Sequence, residues 1–319
     1  MDWYYIVLIV LGGILVLFTI IMLIASYMAF KMYFVRKEAY VIHEEPEKAE
    51  AANYGYIQMR YEVGKYLLTL PHKELDIISF DGLKLTGTYF DNKSDKTVIC
   101  VHGFHSTGFN DMSVFAKEML DRGYNALIIY QRAHNFSEGK YITYGTYEKY
   151  DLKDWVNKIN DLYKPKEIIL CGLSMGCSTV ELASSIGLAE NVKALILDCG
   201  YTNTFDEMCH GCRQYMHIPP WPLVPLSNMW TKLLVKISMK DDYCYKSLEN
   251  DIIPALFIHG KADKLVPFEH GLKNYEHCSS YKEYLWFDDC DHAESIFKHK
   301  DEYMAKVDEF LKNVEEQNA

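Results

Sequence analysis

A serine stands between two glycines in the stretch Gly172-Leu173-Ser174-Met175-Gly176. The four residues before it, 168–171, are apolar and predict a buried strand, and residues 177–186 predict a helix. A serine in a tight turn between a strand and a helix exposes its hydroxyl group, and small neighbours leave room for the strained backbone. The helix N-terminus also favours negative charge on a bound carbonyl oxygen. The stretch therefore predicts a nucleophilic serine at position 174.

A serine hydroxyl needs a base to accept its proton and an acid to orient that base. In a parallel sheet, such groups lie in loops at the carboxyl ends of the strands. Asp263 follows the predicted strand 255–258, and His292 follows the predicted strand 283–287. We therefore expect Ser174 as nucleophile, His292 as base and Asp263 as acid. The alternatives for the acid lie beside the base in the sequence: Asp288, Asp289 and Asp291.

Two backbone N–H groups are expected to stabilise the negative charge on a carbonyl oxygen during acyl transfer. One belongs to Met175, directly after the nucleophile, and the other to Phe104, which follows the predicted strand 97–101. We expect His102 to hold this loop through a hydrogen bond. His105 either contacts the substrate or is solvated.

Apolar strands alternate with helical segments around these motifs. A β-hairpin with a type I′ turn at Asp81-Gly82 comes first, and strands and helices then alternate to about residue 316. This alternation predicts a mostly parallel sheet covered by helices on both faces. Residues 203–250 have no strand pattern, and we expect them to form a helical lid over Ser174.

The predicted lid is rich in methionine, proline and aromatic residues, which favours an apolar pocket wall and an acyl or hydrophobic substrate. Trp221 and Trp230 are its candidate substrate-binding residues. The alternative is that these side chains only pack the lid onto the core. Cys209 and Cys212 have the spacing of a zinc or redox pair, but a second such pair is missing, so we interpret them as part of the lid.

Four motifs, in this order, resemble the α/β-hydrolase family, and more narrowly its single-span bacterial serine hydrolases. They are the segments 102–105, 172–176, 259–267 and 291–293, and the resemblance extends from about residue 74 to 316. It implies an α/β-hydrolase fold and hydrolysis through an acyl-enzyme on Ser174, with no cofactor and no metal. The chain departs from the family in one loop, where Tyr130 replaces an aspartate and Asn135 a glycine, which affects an anchoring contact of that loop.

The N-terminal residues indicate a membrane-spanning helix. No charged residue lies between Asp2 and Lys31, and the apolar run 6–30 is long enough to cross a bilayer. A cleaved signal peptide is the alternative, but it would begin with basic residues and have a shorter apolar core. Lys31, Arg36 and Lys37 follow the span, so the positive-inside rule predicts a single-pass protein with its catalytic domain in the cytoplasm.

Composition is compatible with a globular domain on this anchor. The chain has 319 residues, of which 49% are hydrophobic, and its net charge of −11 excludes a nucleic-acid-binding protein, which needs a basic face. Its nine cysteines favour a reducing compartment, because several lie in predicted core strands. We expect an anchor at 1–35, a juxtamembrane connector at 36–70 with a possible amphipathic helix on the domain or the bilayer, and a hydrolase domain at 71–319.

The sequence thus predicts a membrane-anchored serine hydrolase that cleaves carboxylic esters. Two alternatives remain open. The first is a peptidase or amidase that acts on short peptides with the same three residues, because the pocket decides the substrate. The second is a catalytically silent protein that binds a partner or ligand at the membrane.

Overall fold

A single eight-stranded sheet forms the centre of the computed structural model, which describes residues 2–37 and 54–318. Its strand order is β1-β2-β4-β3-β5-β6-β7-β8, and β2 runs opposite to the other strands. The mostly parallel sheet that the sequence predicts is therefore confirmed. The strands are β1 (Lys73–Ile78), β2 (Lys84–Phe90), β3 (Lys96–Val101), β4 (Asn125–Ile129), β5 (Glu167–Leu173), β6 (Val192–Asp198), β7 (Ala255–Gly260) and β8 (Lys282–Phe287).

Helices cover both faces of this sheet. In chain order they are α1 (Trp3–Phe34), α2 (Tyr54–Leu67), α3 (Phe109–Asp121), α4 (Glu148–Tyr163), α5 (Met175–Ser184), α6 (Thr204–Gln214), α7 (Leu223–Leu234), α8 (Cys244–Leu248), α9 (Phe268–His277), α10 (Ser295–Lys298) and α11 (Lys300–Asn318). One core cluster joins the sheet to α2, α3 and α11, and a second joins the other face to α4 and α5. Three helices, α6 to α8, occupy the insertion between β6 and β7 where the lid was expected.

The prediction of a type I′ turn between β1 and β2 was wrong. That turn needs positive φ at both central residues, but here only Gly82 has it, at +86°. Gly82 N donates to the carbonyl of Ser79, and the Ser79 N–H donates to the carbonyl of Leu83, which closes a longer loop. Asp81 instead accepts hydrogen bonds from Ser79 Oγ and from the guanidinium of Arg132, so its side chain ties the loop to the end of β4.

From residue 54 on, the connector forms a helix that packs on the domain. Helix α2 packs against α3 and contributes Leu67 to the core, while the Arg60 guanidinium lies 4.1 Å from the ring centre of Phe297. Packing on the domain, rather than on the bilayer, therefore accounts for its amphipathic pattern. The predicted polar break at 44–48 lies outside the described residues.

Helix α1 has two parts. It is long and apolar enough to cross a membrane, a property that a signal sequence would share. Side chains of residues 3–21 are exposed, whereas Ser26, Phe30 and Phe34 are buried against the lid. After the helix, Val35 pairs with Tyr141 as a short antiparallel bridge. The second half of α1 is therefore packed into the folded domain.

Candidate active site

Ser174 occupies the turn between β5 and α5, with φ +56° and ψ −118°. This backbone conformation is strained for a residue with a side chain. The glycines on either side permit it, because a Cβ atom on Gly172 would overlap the backbone of Gly176, and one on Gly176 would overlap the carbonyl of Val101. The tight packing of strand against helix thus holds Ser174 at the end of β5.

Ser174, His292 and Asp263 form a continuous hydrogen-bonded series. The Nε2 atom of His292 is 2.9 Å from Ser174 Oγ, and its Nδ1 atom is 2.8 Å from Asp263 Oδ2. Parallel strands β5, β7 and β8 end beside one another, which brings together residues that are far apart in the chain. A proton on Nδ1 points to the carboxylate and leaves Nε2 free to accept the serine proton.

The surroundings of Asp263 keep its carboxylate charged. Burial alone would raise its pKa, but hydrogen bonds from His259 and His292 outweigh burial and hold the pKa of Asp263 well below its usual range. The backbone N–H groups of Leu265 and Val266 donate to Oδ1, each at 2.9 Å. A carboxylate fixed on both oxygens can orient His292 and stabilise the imidazolium that forms when it accepts a proton.

The loop after β3 lies against the serine. A Cβ atom on Gly103 would come within 3.3 Å of Ser174 Cβ. His102 holds this loop, as the sequence predicts: its Nδ1 is 2.7 Å from the carbonyl of Gly103, and its Nε2 accepts from Gln131 N at 3.0 Å. Burial lowers the pKa of His102, which agrees with a neutral imidazole that donates through Nδ1.

The backbone amides of this loop differ in their partners. Gly103 N donates to Asp111 Oδ2 at 2.9 Å, and His105 N donates to His134 Nε2 at 3.1 Å. Within residues 2–37 and 54–318, no acceptor is found for the N–H of Phe104 or of Met175. These are the two amides that the sequence predicts to bind the carbonyl oxygen of a substrate.

The loop that departs from the family pattern has other anchors. Asn135 adopts φ +44°, a left-handed conformation that asparagine tolerates better than most residues. Arg132 is buried and binds Asp151 through two contacts of 2.7 Å and Asp81 through contacts of 2.9 and 3.2 Å. This paired arginine fixes the loop, although Tyr130 takes the place of the usual aspartate.

An apolar cavity of about 100 Å³ lies between α1 and the lid. Its walls come from α1, from lid helices α6 and α7, and from Leu265, which follows Asp263 by two positions. On the α1 side, the Tyr33 ring lies 6.4 Å from the ring of Phe104. The apolar walls are typical of a small-molecule site.

Glu207 is the acidic residue in the lining of this cavity. Its Oε2 atom is buried and has no hydrogen-bond partner among the described residues. Burial, with the nearby charge of Asp263, raises the pKa of Glu207 to about 8. Sequence reasoning missed this residue, because a lone glutamate on a lid helix gives no sign of its burial.

Three residues predicted to bind substrate do not line the cavity. The His105 ring stacks on Phe104 at 3.6 Å between centres, Trp221 is 74% exposed, and the Trp230 Nε1–H donates to Ser26 Oγ on α1 at 3.0 Å. Trp230 therefore packs the lid onto α1.

Two groups of side chains in the described residues have the spacing of metal ligands, and neither includes Cys209 or Cys212. In the group Cys199, Asp263 and His292, both ring nitrogens of the histidine already have hydrogen-bond partners. The other group is Asp289, Cys290 and His299, in which Asp289 contacts His299 and a lysine. Cys212 packs into the hydrophobic cluster beside the cavity.

Comparison with known proteins shows that the chain has the α/β-hydrolase fold. Residues 96–223 match the sequence profile described as alpha/beta hydrolase fold. The chain is 29% identical over 219 residues to the uncharacterized protein YqkD of Bacillus subtilis, a match that covers 68% of this chain and 72% of YqkD. The structure resembles the esterase Pf2001 of Pyrococcus furiosus with a TM-score of 0.68 and 26% identity, covering 88% of this chain and 98% of the esterase. An esterase from Exiguobacterium antarcticum shares the fold at 18% identity and a TM-score of 0.56, over 74% of this chain and 98% of that one.

Proposed function

We propose that this chain, which has the α/β-hydrolase fold and resembles solved esterases, is a membrane-anchored serine hydrolase of carboxylic esters. The observation that carries the proposal is the pair of short contacts that His292 makes with Ser174 and Asp263. A nucleophile, a base and an orienting acid in hydrogen-bonded order are what acyl transfer to a serine requires.

The reaction proceeds in two steps. Ser174 Oγ attacks the carbonyl carbon of the ester while His292 Nε2 takes its proton, and the negative oxygen is bound by the N–H groups of Phe104 and Met175. The carbon–oxygen bond to the alcohol then breaks, and His292 returns the proton to the leaving alcohol. A water molecule, deprotonated by His292, attacks the acyl-enzyme and releases the carboxylic acid and free Ser174. Asp263 stays ionised throughout.

Packing of α1 supports an uncleaved anchor. Removal of the helix as a signal peptide would expose Phe30 and Phe34, which are each 1% exposed, and would break the hydrogen bond between Trp230 and Ser26. Positive charge after the span favours a cytoplasmic domain. Protease treatment of intact cells tests this orientation, and digestion of the domain from outside would contradict it.

Activity is tested with the full-length protein in detergent. We expect turnover of p-nitrophenyl acyl esters and labelling by a fluorophosphonate probe, both lost in Ser174→Ala. Absence of turnover and of labelling in the wild type would refute the hydrolase proposal. Cleavage of aminoacyl-anilides without cleavage of esters would replace the ester hydrolase with a peptidase or amidase.

A further inference from the structure

We propose that α1 is part of the substrate site as well as an anchor: its last two turns form one wall of the acyl pocket, and the substrate is a single-chain acyl ester that enters from the bilayer. This inference rests on the proposed function, because it names the substrate class of the same serine. Four observations support it.

The first observation is how the length of α1 is divided. At 1.5 Å per residue, the exposed stretch 3–21 is about 28 Å long, close to the roughly 30 Å of a bilayer core. Packing on the domain begins at the next turn, where Ser26 accepts a hydrogen bond from Trp230 and its carbonyl accepts one from Ser227. The folded domain therefore starts where the membrane core ends, with the lid next to the bilayer.

The second observation is that the packed part of α1 lines the cavity. Ala29, Tyr33 and Phe34 form its α1 wall. Met28 and Met32 on other sides of the same turns are 59% and 55% exposed. One face of the helix thus meets the cavity, and without this face the cavity would lose a wall and open to its surroundings.

The third observation is an exposed apolar surface on the lid. Its members are large side chains that follow α6 or precede α7: Tyr215, Met216, Ile218 and Trp221, which are 52%, 48%, 37% and 74% exposed. Aromatic residues with this exposure are typical of the membrane interface, and clustered apolar side chains mark a membrane or ligand contact. Since α1 crosses the bilayer beside this lid, the bilayer is the occupant of the surface.

The fourth observation joins the surface to the pocket. Tyr215 and Met216 are partly exposed on the lid, yet both also line the cavity. An apolar chain that leaves the bilayer at these residues passes directly between the lid and α1. The ester group then lies toward the catalytic residues, because Tyr33 contacts Phe104 and Leu265 belongs to the loop that carries Asp263.

The pocket wall is tested by filling it from α1. Ala29→Trp should lower the ratio of kcat/KM for p-nitrophenyl dodecanoate to that for the butyrate ester about tenfold or more, because even two excluded methylene groups account for that factor. Met28→Trp, on the exposed side of the same turn, is the matched control and should leave the dodecanoate-to-butyrate ratio unchanged. The pocket assignment would be overturned if the dodecanoate-to-butyrate ratio were the same in Ala29→Trp as in wild type. It would also be overturned if this ratio changed equally in Ala29→Trp and Met28→Trp.

Butyrate activity reports whether the variant is folded. If Ala29→Trp also loses it, Ala29→Leu is measured instead, and an unchanged ratio there overturns the inference. Failure of the wild type to hydrolyse any ester would refute the proposed function, whereas butyrate hydrolysis with an unaltered chain-length ratio refutes only the role of α1.

Entry from the bilayer is tested with the full chain in phosphatidylcholine vesicles. A fluorogenic palmitate ester is placed either in the same vesicles as the protein or in separate ones. We expect at least tenfold faster hydrolysis when ester and protein share a bilayer, and equal rates for a water-soluble butyrate ester in both arrangements. Equal rates for the palmitate ester in the two arrangements would contradict entry from the membrane.

Discussion

His259 contacts the same carboxylate oxygen of Asp263 as His292 does. Its Nε2 atom is 3.4 Å from Asp263 Oδ2 and 2.9 Å from the carbonyl of Val266. The Nε2–H group lies between these two acceptors, so the histidine both contacts Asp263 and fixes the turn whose backbone amides bind it. Gly271 lies directly against the imidazole, because a Cβ atom there would overlap Nδ1. His259 is therefore a positioning residue for the acid.

Replacement of His259 should reduce turnover without affecting substrate binding. In His259→Ala the turn at Val266 loses its anchor, and a displacement of about 1 Å in the acid costs roughly 10²-fold in kcat, while KM stays within about twofold. His259→Gln, whose amide N–H can reach the same carbonyl, should recover part of kcat. His277→Ala, at an exposed pair with Glu249, is the control and should behave as wild type. A proportional rise of KM in His259→Ala would contradict a positioning role.

The identity of the acid is tested by exchanging carboxylates for amides. Asp263→Asn should lower kcat by about 10⁴-fold on short esters, because the amide favours the wrong tautomer of His292. Asp288→Asn removes an acidic side chain that is 85% exposed and pairs with Lys261 at the surface, so we expect less than a twofold change. Steady-state kinetics with p-nitrophenyl butyrate distinguish the two. A larger loss in Asp288→Asn would assign the acid to the loop after β8.

The strands and the order of the site residues could be predicted because local patterns determine them. An apolar run followed by Gly-x-Ser-x-Gly specifies a buried strand, a tight turn and a helix. Residues after β7 and β8 then meet Ser174 because parallel strands end together. The two partners of His292 are 29 and 118 residues away in sequence, yet strand topology alone brings them near it.

Other features depend on packing that no local pattern encodes. Trp230 and Ser26, which join the lid to α1, are 204 residues apart, and both look like ordinary members of apolar segments. The turn after β1 was wrongly predicted because Asp81 is held by Arg132, a residue 51 positions away. Burial of Glu207 likewise depends on the meeting of α1 and the lid, so the sequence offers no sign of the cavity wall that they share.

The tight turn at the nucleophile predicts opposite effects of two glycine substitutions. Gly176→Ala would place a Cβ atom inside the contact distance of the Val101 carbonyl, and backbone on both sides leaves no room to relax. We expect the free energy of unfolding to fall by about 3 kcal/mol or more. In Gly64→Ala, on α2, the nearest atoms lie at 3.9 Å, so the substitution should be neutral or stabilise by up to about 1 kcal/mol. Thermal unfolding of both variants checks the contrast, and equal stability of the two would refute it.

The raised pKa of Glu207 predicts a pH dependence of substrate binding. Burial raises this pKa to about 8, so the carboxyl group is neutral at pH 7 and charged at pH 9. A charge in an apolar cavity disfavours an acyl chain, so KM for long-chain esters should rise as the pH increases through about 8. Glu207→Gln keeps a neutral group of the same shape and should remove this rise. Asp206→Asn, one residue earlier on the exposed side of α6, is the control and should retain it.

Stability gives an independent measure of the same ionisation. The unfolded chain releases the Glu207 proton near pH 4.5 and the folded chain near pH 8. Between these pH values, ionisation of Glu207 stabilises the unfolded state but not the folded state. The contribution of this proton to stability is therefore complete below pH 4.5 and is lost as the pH rises toward 8. We expect the unfolding free energy of wild type relative to Glu207→Gln to decrease across this window and to level off above it. A difference between the two proteins that stays constant from pH 5 to 9 would mean that Glu207 ionises normally and that the cavity does not keep it neutral.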